Sequence, residues 1–288
     1  GGTQTNAAVI SALLRSYEGV VAAVTGHIST HEAGAIELGG HKVLTLPEQA
    51  GKITASALRE LLSRYMADET RDHMVKPGMV YISQPTESGT LYARAELQEI
   101  SGVCREYGLP LYLDGARLAY ALACPENDAS LEDLAQLCDA FYIGGTKCGA
   151  LFGEALVVPK SGGIPHFFTV MKQRGALLAK GWLLGLQFDA LFTDGLYGEV
   201  GKTAIAAADK IRNALREYGY RLYCSTSTNQ VFVVLEDAQM ARLAEAVEFS
   251  FWEKLDDTHT VIRLATSWAS SEADAERLVA VLKEHAIG

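Results

Sequence analysis

The chain has 288 residues, 49% of them apolar and 21% charged, with a formal net charge of −10. That length accommodates one large domain with a smaller one beside it. The acidic balance excludes a non-specific nucleic-acid surface, which needs clustered Lys and Arg, and no apolar run is long enough for a transmembrane helix.

After the opening Gly1-Gly2-Thr3, residues 4–17 carry Val9, Ile10, Leu13 and Leu14 at helical spacing. Residues 20–25 read as a buried strand and 41–46 as a shorter one. A stripe of Leu58, Leu61, Leu62 and Met66 predicts a helix over 55–66. Strands at 79–83, 109–113 and 140–143 then alternate with helices at 93–107 and 131–138. Such alternation predicts a mainly parallel sheet sandwiched by helices, an α/β class, with ligands beyond the carboxyl ends of the strands. The remainder has a different grain. Two long helices are expected at 175–192 and 199–218, then strands at 221–223, 230–235 and 260–265, with helices at 238–246 and 272–284. This predicts a large domain over 1–192 and a small C-terminal α+β domain over 193–288. Trp182, Trp252 and Trp268 are expected in the core.

Cys104, Cys124, Cys138, Cys148 and Cys224 are odd in number, form no CxxC pair and have no His at zinc-ligand spacing, so no metal site is expected. They read as the reduced thiols of a cytoplasmic protein. His41, His73, His166, His259 and His285 are scattered and read as structural.

Three features fall where this architecture places a site. Gly2 and Thr3 open a helix, where backbone amides, a hydroxyl and the helix terminus would hold a phosphate; the same tripeptide also serves as a plain turn. The apolar strand ending Leu111-Tyr112-Leu113 delivers Asp114, followed by Gly115 and Arg117. Asp114 either caps the next helix or pairs with a protonated ring nitrogen, and Arg117 is either a surface charge or a fork for a carboxylate. Lys147 stands among small residues at the end of a third strand, after Gly144, Gly145 and Thr146. It is either a snorkelling surface lysine or a desolvated amine suited to imine chemistry.

Phosphate cradle, strand-end Asp and strand-end Lys occur here in the order of the fold-type I pyridoxal-5'-phosphate (PLP) enzymes. The segments GGTQTN, HISTHEAGAIE, SQPTESGTLY, LYLDGARL, GGTKCGALFGEA, KQRGALLAKGWLLG and IRLATSW resemble, in order, the blocks of the threonine aldolase and aromatic β-eliminating lyase family. They extend from residue 1 to about residue 268. The resemblance implies a PLP cofactor, with Lys147 as its Schiff-base lysine and Asp114 on its pyridine nitrogen. Gly2 and Thr3, with Thr146, would take the phosphate. His27 would stack on the ring and could also act as an acid/base group, and Arg117 and Arg263 would bind an amino acid's α-carboxylate. The implied reaction is cleavage of the Cα–Cβ bond of L-threonine or L-allo-threonine to glycine and acetaldehyde, in a homodimer or homotetramer.

Three departures stand out. Family members carry several dozen residues ahead of the phosphate loop, which supply a dimer arm and a substrate-binding serine, so an incomplete N-terminus is expected. Glu87, in Pro85-Thr86-Glu87, stands where the bacterial aldolases have a second histidine, and either Glu87 or His31 would be the base. Lys180 stands where that branch has an arginine, keeping the charge but losing the fork. β-Elimination or transamination on another amino acid, and a degenerate PLP fold that only binds, remain the alternative readings.

Overall fold

A computed structural model of the chain describes residues 1–286. Its larger sheet has six strands: β1 (Glu18–Ala23), β2 (Val43–Leu46), β3 (Lys76–Ser83), β4 (Leu111–Asp114), β5 (Ala140–Gly144) and β6 (Glu154–Val157). The order is β2-β1-β3-β4-β5-β6, all parallel except β6, which runs antiparallel to β5. This is the expected mainly parallel sheet. Every residue of β1, β4 and β5 is buried, as in strands covered on both faces. Strand side chains alternate between faces. Val21, Val80, Ile82, Leu111 and Leu113 therefore join one core with Leu58, Leu97, Ile100 and Leu134 of helices on that side. Val20, Ala22, Met79, Tyr81 and Tyr112 join the other, with Val9 and Ile10 of the first helix, Gly2–Leu13.

The second sheet comprises β7 (Arg221–Leu222), β8 (Gln230–Glu236), β9 (Ser250–Lys254) and β10 (His259–Ala265). It is antiparallel, in the order β7-β8-β10-β9. The helix Leu196–Glu217 links the two halves. Ala204 and Ile205 pack into the core of the large sheet, and Ala208, Ile211 and Leu215 against the small one.

The sequence expectation fails in several places, the short helices Leu118–Ala123 and Phe167–Gln173 among them. The helix expected over 175–192 starts late, at Trp182, and its first expected residue, Gly175, instead has a φ of +64° that only glycine adopts freely. Strands β6 and β9 were not foreseen, because short edge strands with charged residues lack a strand pattern. Trp182 and Trp268 are not core residues but 62% and 47% exposed.

Candidate active site

Four parallel strands end on one edge, and each is followed by a residue that can do chemistry. His27 follows β1, Glu87 follows β3, Asp114 ends β4, and Lys147 follows β5. Gly2, Thr3, His27, Glu87, Asp114, Arg117 and Lys147 line one cavity of about 180 Å³. Residues more than a hundred positions apart meet there because parallel strands share a carboxyl edge. The turn after β4 is tight: the Gly144 amide donates to Gly115 O at 2.9 Å, and a Cβ on Gly115 would lie 2.0 Å from Tyr142 O, so only glycine fits.

Asp114 is buried and accepts four hydrogen bonds. Oδ2 takes Tyr81 Oη at 2.7 Å and Asn6 Nδ2 at 3.0 Å; Oδ1 takes the Ala116 amide at 2.9 Å and the Tyr142 hydroxyl. Tyr112 lies two residues before Asp114 and so points to the same face, where its hydroxyl donates to Asn6 Oδ1 at 2.9 Å.

Lys147 stands in the open cavity, so water reaches it, yet the protein around it thins the solvent. That desolvation, followed by the nearby charge of Arg117, lowers its pKa. Burial raises the pKa of Glu87, and the charge of Asp114 adds to the rise. Oε1 of Glu87 accepts Ser83 Oγ at 2.7 Å and the His27 amide at 2.9 Å, whereas Oε2 accepts from no described residue.

His31 and Arg263 are not among the residues that line the cavity. The His31 ring is 5.7 Å from that of His27 and 6.0 Å from that of Trp252, and burial lowers its pKa, with His27 adding to the fall. The Arg263 guanidinium lies 5.7 Å over Trp252 and donates to Gln230 Oε1 at 3.1 Å. Burial lowers its pKa, and Arg117 lowers it further, so the two guanidiniums are close enough to repel. Neither has an acidic partner among the described residues.

Two candidates are placed elsewhere. Thr146 is outside the cavity lining, with its hydroxyl 3.4 Å from Gly153 O, and Lys180 is exposed between two helices. Sequence reasoning missed Asn6, Glu32, Tyr81, Tyr142 and Glu154, the last of which accepts the Gly145 amide at 2.7 Å. For Asn6 a signal existed: it lies four residues after Gly2, on the same helical face.

The layered sheet and the strand-end Lys–Asp pair define the fold-type I PLP class. YbdL of Escherichia coli, described as a methionine aminotransferase, shares that fold at 18% identity and a TM-score of 0.75, over 99% of this chain and 75% of its own. The model of the beta-eliminating lyase family matches residues 1–250. A low specificity L-threonine aldolase of Pseudomonas sp. (strain NCIMB 10558) is 32% identical over 98% of this chain and 80% of its own length. A threonine aldolase of Leishmania major superposes with a TM-score of 0.95 at 46% identity, covering 100% of this chain and 83% of its own. The chain belongs to the beta-eliminating lyase family.

Proposed function

We propose that this chain is a PLP-dependent aldolase that cleaves L-threonine and L-allo-threonine to glycine and acetaldehyde. The observation that carries the reading is one cavity that joins Lys147 and Asp114 to Arg117, a guanidinium that forms no ion pair with any described residue. Similarity to threonine aldolases over nearly the whole of this chain supports it.

The residues fit PLP by their chemistry. Lys147 offers a lowered-pKa amine to an aldehyde, Asp114 a carboxylate to a pyridinium, and the start of the helix Gly2–Leu13 its free amides to a phosphate. When bound, PLP supplies an electron sink for the charge that develops at Cα. The α-carboxylate offsets the repulsion between Arg117 and Arg263, which restricts the substrate to an amino acid. Glu87 lines the cavity with Oε2 unengaged, and its raised pKa suits a group that takes the β-hydroxyl proton and returns one. His31 stays one ring removed from the cavity, which favours Glu87 as the base.

Product analysis tests the reaction. Incubation with PLP should convert both L-threonine isomers to glycine and acetaldehyde and leave D-threonine intact. Glu87→Gln should slow turnover by about 100-fold. Steady release of indole or phenol from aromatic amino acids, with no acetaldehyde from either threonine, would overturn the aldolase reading. Ammonia and a 2-keto acid from threonine would do the same.

We also assign a second copy of the chain as partner. Leu151, Phe152, Trp182, Leu183 and Leu186 are exposed beside the site, and the amides of Leu151 and Phe152 both donate to Gln187 Oε1, which joins them to the helix carrying the others. A patch of this kind marks an interface. Sedimentation velocity should show a dimer or tetramer, and Trp182→Glu should shift it toward monomer; a parent protein that stays monomeric at micromolar concentration rejects the assignment. Cytoplasmic location is read from the five free thiols.

A further inference from the structure

Glu32 lies outside the lining of the site cavity, and its side chain is 0% exposed. Its Oε1 lies 2.8 Å from His27 Nδ1 and accepts Asn6 Nδ2 at 2.7 Å. Its Oε2 is buried without a partner among the described residues. A buried carboxylate so placed is costly unless the groups around it donate to it. Asn6 does, and its orientation is set: Tyr112 donates to its Oδ1, and its two amide protons go to Glu32 and to Asp114. A carboxylate oxygen only accepts, and an unprotonated Nδ1 at 2.8 Å would set lone pair against lone pair. Nδ1 of His27 therefore carries a proton, and in the neutral imidazole the free lone pair falls on Nε2.

Resting on the aldolase reading for its catalytic consequence, we propose that Glu32 is the positioning residue of His27. It holds the imidazole in the Nδ1–H form, which is the minor tautomer of free histidine, and keeps Nε2 available to the cavity. Through the shared amide of Asn6, the same carboxylate helps fix Asp114, so one buried network seats both residues that flank the cofactor cavity.

The test reads the tautomer directly. The apoprotein is labelled with ¹⁵N-histidine, and its long-range ¹H–¹⁵N spectra are recorded at a pH where imidazoles are neutral, with His27→Ala providing the assignment. His27 should be Nδ1–H in the parent protein. It should remain so in Glu32→Gln, whose amide oxygen still accepts, and move to mainly Nε2–H in Glu32→Ala. With PLP, Glu32→Ala should lower kcat for L-threonine by about 10- to 100-fold, as loss of an orienting partner does elsewhere. KM should change by less than about threefold, since no binding contact is removed, and Glu32→Gln should recover most of the loss. An Nε2–H tautomer in the parent overturns the proposal even if Glu32→Ala fails to fold. So does an Nδ1–H tautomer that survives in a folded Glu32→Ala, or a kcat that is unchanged when the tautomer has switched. If the parent cleaves neither threonine isomer, the aldolase reading falls, while the tautomer still decides whether Glu32 holds His27.

Discussion

Lys147→Ala should abolish turnover, with a loss on the order of 1000-fold or more, while leaving the fold as stable as the parent. Both halves follow from its surroundings. The side chain makes no hydrogen bond or ion pair with any described residue and stands beside the like charge of Arg117, so its removal leaves no buried partner unsatisfied. Thermal unfolding should therefore move by no more than about 0.5 kcal/mol in either direction. Borohydride reduction of the PLP-loaded parent, followed by peptide mapping, should place the label on Lys147; a label on Lys42, Lys172 or Lys180 rejects the assignment. The lowered pKa of Lys147 gives a further sign. Capture of PLP by the apoprotein, followed by absorbance, should rise with pH at a midpoint below the usual lysine value of 10.5. Burial is the larger cause and Arg117 the next, so Arg117→Ala should move that midpoint up. A midpoint that stays fixed in that variant would show that burial acts alone.

Asp114→Asn should cost both activity and stability, and the two losses have separate causes. Activity should fall by roughly 100- to 1000-fold, because a neutral amide cannot stabilise a protonated pyridine ring. Stability should fall because four donors converge on this side chain: Asn6 and Tyr81 on one oxygen, Tyr142 and the Ala116 amide on the other. An asparagine puts an amide NH₂ against one of those pairs, in a site with almost no water. Leaving buried donors opposed costs about 1–3 kcal/mol, which lowers the unfolding midpoint by several degrees in a chain of this size. Tyr142→Phe removes only one of the four donors and serves as the control, with a shift of about 1 kcal/mol. Should Asp114→Asn keep near-parental turnover, Asp114 is a structural acceptor for the tyrosines and not the partner of a cofactor. Retained stability with lost activity would instead mean that the donors reorient around the amide.

The sequence by itself determined the alternating strands and helices up to residue 144, the mainly parallel sheet and the strand ends at which Asp114 and Lys147 stand. These signals are local. A buried strand announces itself by an apolar run, and Asp114 and Lys147 stand directly after such runs, where any parallel sheet exposes its carboxyl edge. Arg263 was legible only through the resemblance of IRLATSW, since nothing in strand β10 marks it as facing Arg117. Only the tertiary structure decided the rest. Asn6, Glu32, Tyr81, Tyr112 and Tyr142 are each unremarkable in their own segments, and they form one polar network only because a helix, a loop and three strands converge on the same side of the sheet. Lys180 and Thr146 carry the right chemistry in the right segments, but one projects into solvent and the other lies outside the cavity with its hydroxyl against a backbone carbonyl. The helix read from Gly175 onward begins only at Trp182, because periodicity reports which residues can share a face and is silent on where a backbone turns, as it does at Gly175. Sequence pattern specifies the elements and their edges; which distant side chains meet across those edges depends on packing, and the buried carboxylate of Glu32 is visible only there.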